Sequence, residues 1–255
     1  MKYLNLGCGS KVVEDGDWDN IDFRPANYSV KKVNILKGLP YADSSVDAVY
    51  SSHMLEHFNR YDAQRHIEEC YRVLKRGGIV RICVPNLENI CREYLRMLDN
   101  VRTDVRYEDK YDYEVIELID QMTRRTCGGE MDEYWASHQP NDEYVLKRSG
   151  YPEGYVHPNL RKKCNSFLSA CKKLVRKLPI VQSYFRLRFI NSGENHLWMY
   201  DSYSLTRLLN GCGFRNISVK DYNVSNILNW REYGLEVNAE GTEYKPNSLY
   251  VEAVK

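Results

Sequence analysis

Two glycines around one residue, Gly7-Cys8-Gly9, close a short apolar run that begins at Tyr3, and a carboxylate, Asp22, follows thirteen positions later in Asn-Ile-Asp-Phe. Glycine carries no Cβ, so backbone N–H groups in such a turn can approach a ligand closely. A carboxylate ending the next strand can accept hydrogen bonds from both hydroxyls of a ribose. Together these residues describe a site for an adenosine-type ligand. Taken alone, Asp22 also reads as a turn residue, and Cys8 as a small side chain with no electropositive neighbour to activate it. Three histidines are the remaining candidates for chemistry. His53 and His57 lie four apart. That spacing suits a metal, but Glu56 does not stand where a His-Glu-x-x-His arrangement needs it, and no metal is expected. One of the two orients a substrate or takes its proton, or both simply cap and pack. His196, in Glu-Asn-His-Leu-Trp-Met-Tyr-Asp, is a second candidate base.

These residues need elements to carry them. Lys2–Leu6 reads as a first strand, Trp18–Phe23 leads into a second, Ser29–Ile35 gives a third and Val46–Ser51 a fourth. A helix over 60–75 places Ala63, Ile67, Cys70, Tyr71 and Leu74 on one face. Gly77-Gly78 is expected to end it as a left-handed cap, with Ile79–Val84 as the next strand and Pro85 as its stop. Leu87–Leu98 reads as a helix, Ser202–Leu209 as another, and Phe214–Lys220 and Ser248–Val254 as the closing strands. The polar, Asn-rich segment 221–247 between those two strands reads as a long hairpin connection. Alternating strands and helices predict an α/β chain with a doubly wound, mostly parallel sheet.

Residues 86–195 are too long for a single crossover. Residues 99–143 carry thirteen acids against five Lys or Arg, whereas 154–193 carry nine Lys or Arg and no acid. This stretch reads as an insertion over the active-site face with a basic second half. Within 161–188 the apolar residues Phe167, Leu168, Cys171, Leu174, Val175 and Leu178 recur at helical spacing. Such a face packs beneath a solvated cationic surface, clamps a phosphorylated acceptor, or lies on a membrane surface. Tyr134, Trp135, Tyr144, Tyr151 and Tyr155 suit sugar stacking or loop packing. The 255 residues suffice for one large domain with an insertion, and a net charge of +1 suggests no nucleic-acid partner. Eight scattered cysteines without a Cys-x-x-Cys pair suit a reduced cytoplasmic protein rather than a disulfide scaffold or zinc site. No signal peptide and no apolar run of membrane-spanning length is read.

Five blocks in order resemble class I S-adenosylmethionine-dependent methyltransferases. They are Leu-Asn-Leu-Gly-Cys-Gly-Ser (4–10), Trp-Asp-Asn-Ile-Asp (18–22), Gly-Leu-Pro-Tyr-Ala-Asp-Ser-Ser-Val-Asp (38–47), Ser-Ser-His-Met-Leu-Glu-His-Phe (51–58) and Arg-Val-Leu-Lys-Arg-Gly-Gly (72–78). The similarity covers residues 1–100 well and 194–255 more loosely. It implies a Rossmann-like seven-stranded sheet with an antiparallel last strand, a single domain over 1–255, and 86–195 as a substrate cap. It also implies S-adenosylmethionine as cofactor. Asn5, Gly7, Cys8 and Gly9 would surround its methionine half, Asp22 the ribose, Phe23 and the pair Asn34–Ile35 the adenine. Ser51, Ser52 and His53 would line the meeting point of sulfonium and acceptor. Departures are an asparagine at Asn5 and Asn34 where aspartate is commoner, Lys11 for a further glycine and Arg76 for a proline. The crossover from Ser10 to Asp19 is also below the usual length for a parallel connection.

The subgroup it most resembles is common in surface-polysaccharide and glycan biosynthesis. The expected activity is therefore methylation of an oxygen on a sugar, nucleotide-sugar or phosphorylated glycan precursor, with His57 or His196 as base and His53 orienting. The alternatives are methylation of another phosphorylated or amine metabolite and a non-catalytic S-adenosylmethionine-binding partner. A nicotinamide oxidoreductase fits poorly, because the third glycine is missing and Asp22 comes too early.

Overall fold

In the computed structural model, Tyr3–Leu6 (β1) is buried along its whole length, because it lies inside a parallel sheet covered on both faces. The structure describes residues 1–25, 27–138, 143–150, 189 and 193–255. The other strands are Trp18–Asp22 (β2), Val30–Lys32 (β3), Val46–Ser52 (β4), Leu74–Pro85 (β5), Arg215–Lys220 (β6) and Ser248–Val254 (β7). Their order is β3-β2-β1-β4-β5-β7-β6, parallel from β3 to β5, with β7 antiparallel to both its neighbours. The expected mixed, doubly wound sheet is the observed one. Contacts divide the chain into two compact units, Met1–Asn89 with Leu197–Lys255, and Ile90–His196.

The two faces of the first unit's sheet are covered differently. On one face, Arg60–Val73 (α1) buries Ala63, Ile67, Cys70 and Val73 against Leu4, Val49, Val80 and Ile82. Full burial of each larger apolar side chain contributes roughly 1.5–3 kcal/mol. Asn59 caps α1 by accepting from the N–H groups of Tyr61 and Asp62, both at 3.0 Å. Ser202–Gly211 adds Leu205 and Leu209 to the same core and starts with a capping box between Asp201 and Ser204. On the other face no helix follows β1, because residues 7–17 turn straight into β2. The connection from β6 to β7 lies there instead, placing Ile227, Trp230 and Leu235 on Tyr3, Trp18, Ala48 and Tyr50.

A fully buried guanidinium fastens that connection. Arg81 of β5 donates to the carbonyls of Asp221 (3.0 Å), Tyr222 (3.2 Å) and Val224 (2.8 Å). It also donates to Glu252 at 2.9 Å and to Glu236, with the Trp230 ring 4.6 Å from its carbon. Lys11 provides a second tie, donating to Gly234 O at 3.2 Å and Val237 O at 2.8 Å, with its ammonium 4.2 Å from the Tyr244 ring. A glycine at position 11 could make neither bond.

Two expected elements differ. Helix α1 stops at Val73, Leu74 already belongs to β5, and Gly77-Gly78 lie within that strand and do not cap the helix. At Gly78 a Cβ would sit 2.9 Å from Lys75 O and 3.0 Å from Asp47 O, so glycine is required by close backbone approach. The third strand is only Val30–Lys32, because Asn34 turns its side chain back to Leu36 N–H and starts a short 3-10 turn.

The second unit contains Leu87–Val101 (α2, from Ile90 onward), Glu108–Thr123 (α3), Gly129–His138 (α4) and Glu143–Ser149 (α5). Tyr113, Tyr134, Trp135, Val145 and Leu146 form its core. Tyr134 and Trp135 are thus packing residues here and not stacking platforms. Asp120 of α3 accepts from Glu130 N–H at 2.8 Å, capping α4 from a neighbouring helix. The basic segment 161–188, Tyr151 and Tyr155 lie outside the described residues. No helix among the described residues is long and apolar enough to cross a membrane.

The Arg81 cluster makes stability sensitive to mutation and to pH. Arg81→Met leaves two buried carboxylates without their cation and is expected to cost about 3–5 kcal/mol in urea unfolding. Burial, with Glu252 close by, raises the Glu236 carboxyl from 4.5 to about 7, against the pull of Arg81. The native state therefore holds this proton more tightly than the unfolded chain, and Glu236 contributes stability that is lost as pH rises through about 7. Unfolding free energies measured across this window should fall with rising pH, and Glu236→Gln should flatten that slope.

Candidate functional site

The chain reverses direction between β1 and β4: β2 and β3 lie to one side of β1, and β4 begins the other. The crevice outside the carboxyl ends of two such strands is where open α/β sheets bind ligands. Gly7-Cys8-Gly9 leaves β1 there, and Ser51-Ser52-His53 leaves β4. Gly7 and Cys8 donate to Ile21 O at 2.8 and 3.2 Å, which folds the glycine turn over the end of β2. Both glycines are left-handed, with φ of 64° at Gly7 and 52° at Gly9. A Cβ at Gly7 would meet Met54 Sδ at 2.8 Å, whereas one at Gly9 would meet nothing within 4 Å. Gly7 therefore serves packing, and Gly9 borders open space.

Asp22 joins this turn directly. Its Oδ2 accepts from Gly9 N–H at 3.0 Å and its Oδ1 from Arg24 N–H at 2.7 Å, leaving lone pairs on both oxygens for further donors. Phe23 beside it is 54 % exposed. Cys8 is buried, and burial followed by the Asp22 charge pushes its thiol up to about 11, so it is no nucleophile. Ser51 is fully buried with no hydrogen-bond partner for its Oγ among the described residues. Asn34 and Ile35 stand at the short turn after β3, Asn34 exposed and Ile35 packed against the main core. The open Gly9 edge, the anchored carboxylate and the unpartnered Ser51 hydroxyl fit the polar groups of S-adenosylmethionine.

Asn5 is engaged elsewhere. Its Nδ2 donates to Lys11 O at 2.8 Å and to Asn20 Oδ1 at 3.0 Å, while Asn20 also bonds both backbone groups of Val13. This buried amide pair holds the crossover that has no helix. Asn5 and Lys11, which depart from the commoner pattern, thus both have structural work in this chain.

His53 has φ of 49°, and its N–H donates to Cys83 O at 2.9 Å. Its Nε2 lies 2.8 Å from Ser248 Oγ and its Nδ1 3.4 Å from Glu56 Oε1. The Ser248 hydroxyl donates its single hydrogen to Lys245 O at 2.7 Å, so in this network Nε2 carries the hydrogen shared with Oγ. Burial lowers the His53 pKa, working against Glu56, whose charge favours the protonated ring. The bond between Nε2 and Ser248 holds the ring in one orientation, and only a protonated ring could also donate from Nδ1 to Glu56. His57 ends the short turn Leu55–His57 and is half-buried. His196 belongs to the second unit, where it is buried and donates its backbone N–H to Gln121 O at 2.9 Å.

Ser248, Lys245 and Cys83 are the residues that motif reading missed. They adjoin His53 because β7 runs antiparallel to β5, with Cys83 opposite Tyr250 and Pro85 opposite Ser248. The one local signal is Pro246-Asn247, a turn ahead of the last apolar run.

Residues 18–82 match the model of a methyltransferase domain. The likeness is to methyltransferases. A probable S-adenosylmethionine-dependent methyltransferase of Mycolicibacterium smegmatis is 32% identical over 98 residues, covering 32% of this chain and 37% of that protein. One from Mycobacterium tuberculosis strain H37Rv is 28% identical over 85 residues, covering 32% and 30%. The matched stretch thus spans about a third of the length of these relatives. A crystal structure of an S-adenosylmethionine-dependent methyltransferase from Archaeoglobus fulgidus aligns over 100% of this chain and 86% of that one, at 14% identity and a TM-score of 0.42, too distant to argue from. The sequence matches support the expected class of methyltransferase and its cofactor.

Substitutions at the turn separate packing from binding. Both Gly7→Ala and Gly9→Ala incur the left-handed penalty of about 1–2 kcal/mol. Gly7→Ala should unfold at clearly lower temperature, because it also drives into Met54. Gly9→Ala should keep more stability but lose affinity for S-adenosylhomocysteine, read by calorimetry. Asp22→Ala should weaken that binding roughly 10- to 100-fold, as expected for hydrogen bonds to a charged acceptor.

Proposed function

We propose that this chain binds S-adenosylmethionine across the carboxyl ends of β1 and β4 and methylates an acceptor oxygen, on a sugar or phosphorylated glycan precursor. The observation that carries the cofactor half is the Gly9–Asp22 bond beside open space at the reversal point of a sheet whose residues 18–82 match a methyltransferase domain. The cofactor, when bound, supplies an electrophilic methyl on a positively charged sulfur. Asp22 holds the ribose and the turn at Gly7–Gly9 borders the methionine half. Alignment of the acceptor oxygen is the chief task left to the protein. His57 would take the hydroxyl proton as the oxygen–methyl bond forms and the sulfur–methyl bond breaks, leaving the neutral thioether S-adenosylhomocysteine, and His53, held by Ser248, would orient the acceptor. The sugar class rests on the resemblance to enzymes of glycan biosynthesis.

The test is calorimetry with S-adenosylmethionine, followed by transfer of labelled methyl to a panel of sugars, sugar phosphates and small amines. Transfer to sugar hydroxyls supports the proposal. Transfer only to amines overturns the oxygen assignment, and tight binding without transfer to any acceptor favours a non-catalytic partner. His57→Gln is expected to lower turnover about 10²–10⁴-fold, the usual contribution of a positioned base. Its affinity for S-adenosylhomocysteine should stay unchanged; unaltered turnover would remove His57 from this role.

A further inference from the structure

Because β7 is antiparallel to β5, its amino end lies at the same edge of the sheet as the carboxyl ends of β4 and β5. The segment leading into β7 therefore adds side chains to the ligand-binding edge from a distant part of the chain. Lys245 is one of them. Its carbonyl accepts from Ser248 Oγ at 2.7 Å, which fixes its backbone beside the residue that holds His53. Its ammonium is half-buried, yet among the described residues it makes no hydrogen bond or ion pair. Four other lysines of this unit are satisfied by the protein. Lys2 and Lys31 pair with Asp19 at 2.6 and 2.8 Å, Lys75 pairs with Asp47 at 2.8 Å, and Lys11 is satisfied by two carbonyls.

A cation withdrawn from water without a counter-charge is unfavourable unless something else compensates it. Desolvation lowers the Lys245 pKa, and Cys83 and the buried Glu56 carboxylate, which favour the charged ammonium without ion-pairing to it, offset this only in part; the Lys245 charge in turn bears on His53 and Cys83.

We propose that Lys245 binds an anionic group of the methyl acceptor, a phosphate monoester or a carboxylate, next to His53. This rests on the methyl-transfer reading of the same site. It narrows the acceptor to an acidic molecule, whose charge would offset both the ammonium and the cofactor's sulfonium. A compact ammonium on a flexible stem suits either anion as a point charge.

The test uses the full chain saturated with S-adenosylhomocysteine, titrated separately with methyl phosphate and with propionate in a calorimeter. Binding of one of them with a dissociation constant on the order of 1 mM is expected, and which one binds assigns the class. Lys245→Met should weaken that binding roughly tenfold or more, the scale of one charge-assisted contact. Lys245→Arg should retain it, and both variants should bind S-adenosylhomocysteine as the parent does. Should the Met variant fail to fold, amine labelling of the parent followed by mass spectrometry decides: the anion must protect Lys245 and leave Lys75 as reactive as before. No uptake of either anion, equal uptake by Lys245→Met, or no protection of Lys245 overturns the proposal. If S-adenosylhomocysteine does not bind while the anion still depends on Lys245, the cofactor reading fails and the anion site stands.

Discussion

The guanidinium of Arg81 has no exposed surface, and the face of the first unit that carries no helix depends on it. A parallel sheet needs cover on both sides, and the turn from β1 to β2 is too short to supply a helix. The connection between β6 and β7 fills that gap, and it is held by one cation reaching three carbonyls and two carboxylates. A buried arrangement of this kind is tolerable only when nearly every polar atom is answered. Burial of Glu236, with the second acid Glu252 beside the same base, raises its pKa.

That fastening has consequences at the other end of the connection. Residues 221–236 are anchored on the sheet, Lys11 grips Gly234 and Val237, and the chain then returns through Lys245 and Pro246 into β7. The path delivers Ser248 to His53. It also leaves Lys245 half-buried, with no hydrogen bond or ion pair to its ammonium among the described residues. The same loop that closes the hydrophobic face therefore also brings Ser248 to His53 at the strand ends.

Within the site, glycine has two distinct uses. At Gly7 it makes room for Met54, and at Gly9 it leaves an edge free while the N–H engages Asp22. His53 occupies a left-handed backbone conformation, uncommon for a non-glycine residue though histidine adopts it more readily than most. Its Nε2 is bonded to Ser248, so the histidine expected to orient the acceptor is itself held by the last strand.

The central strands β1, β4 and β7 are legible in the sequence because strands buried on both faces are largely apolar runs, and the Gly9–Asp22 pairing is legible because its members lie within one β-turn-β unit. The end of α1 is misread, since Gly77-Gly78 looks like a cap while the requirement on Gly78 comes from Asp47, across a strand pair. Asn5 looks like a ligand contact until Asn20 and the Lys11 carbonyl are seen to use its amide hydrogens. Sequence alone determines the alternation of strands and helices and the adenosine-type turn, because local periodicity and backbone freedom impose them. Tertiary structure alone decides which residues gather around His53: Ser248 and the Lys245 backbone reach it only through the antiparallel pairing of β5 with β7, a register that no short-range pattern encodes.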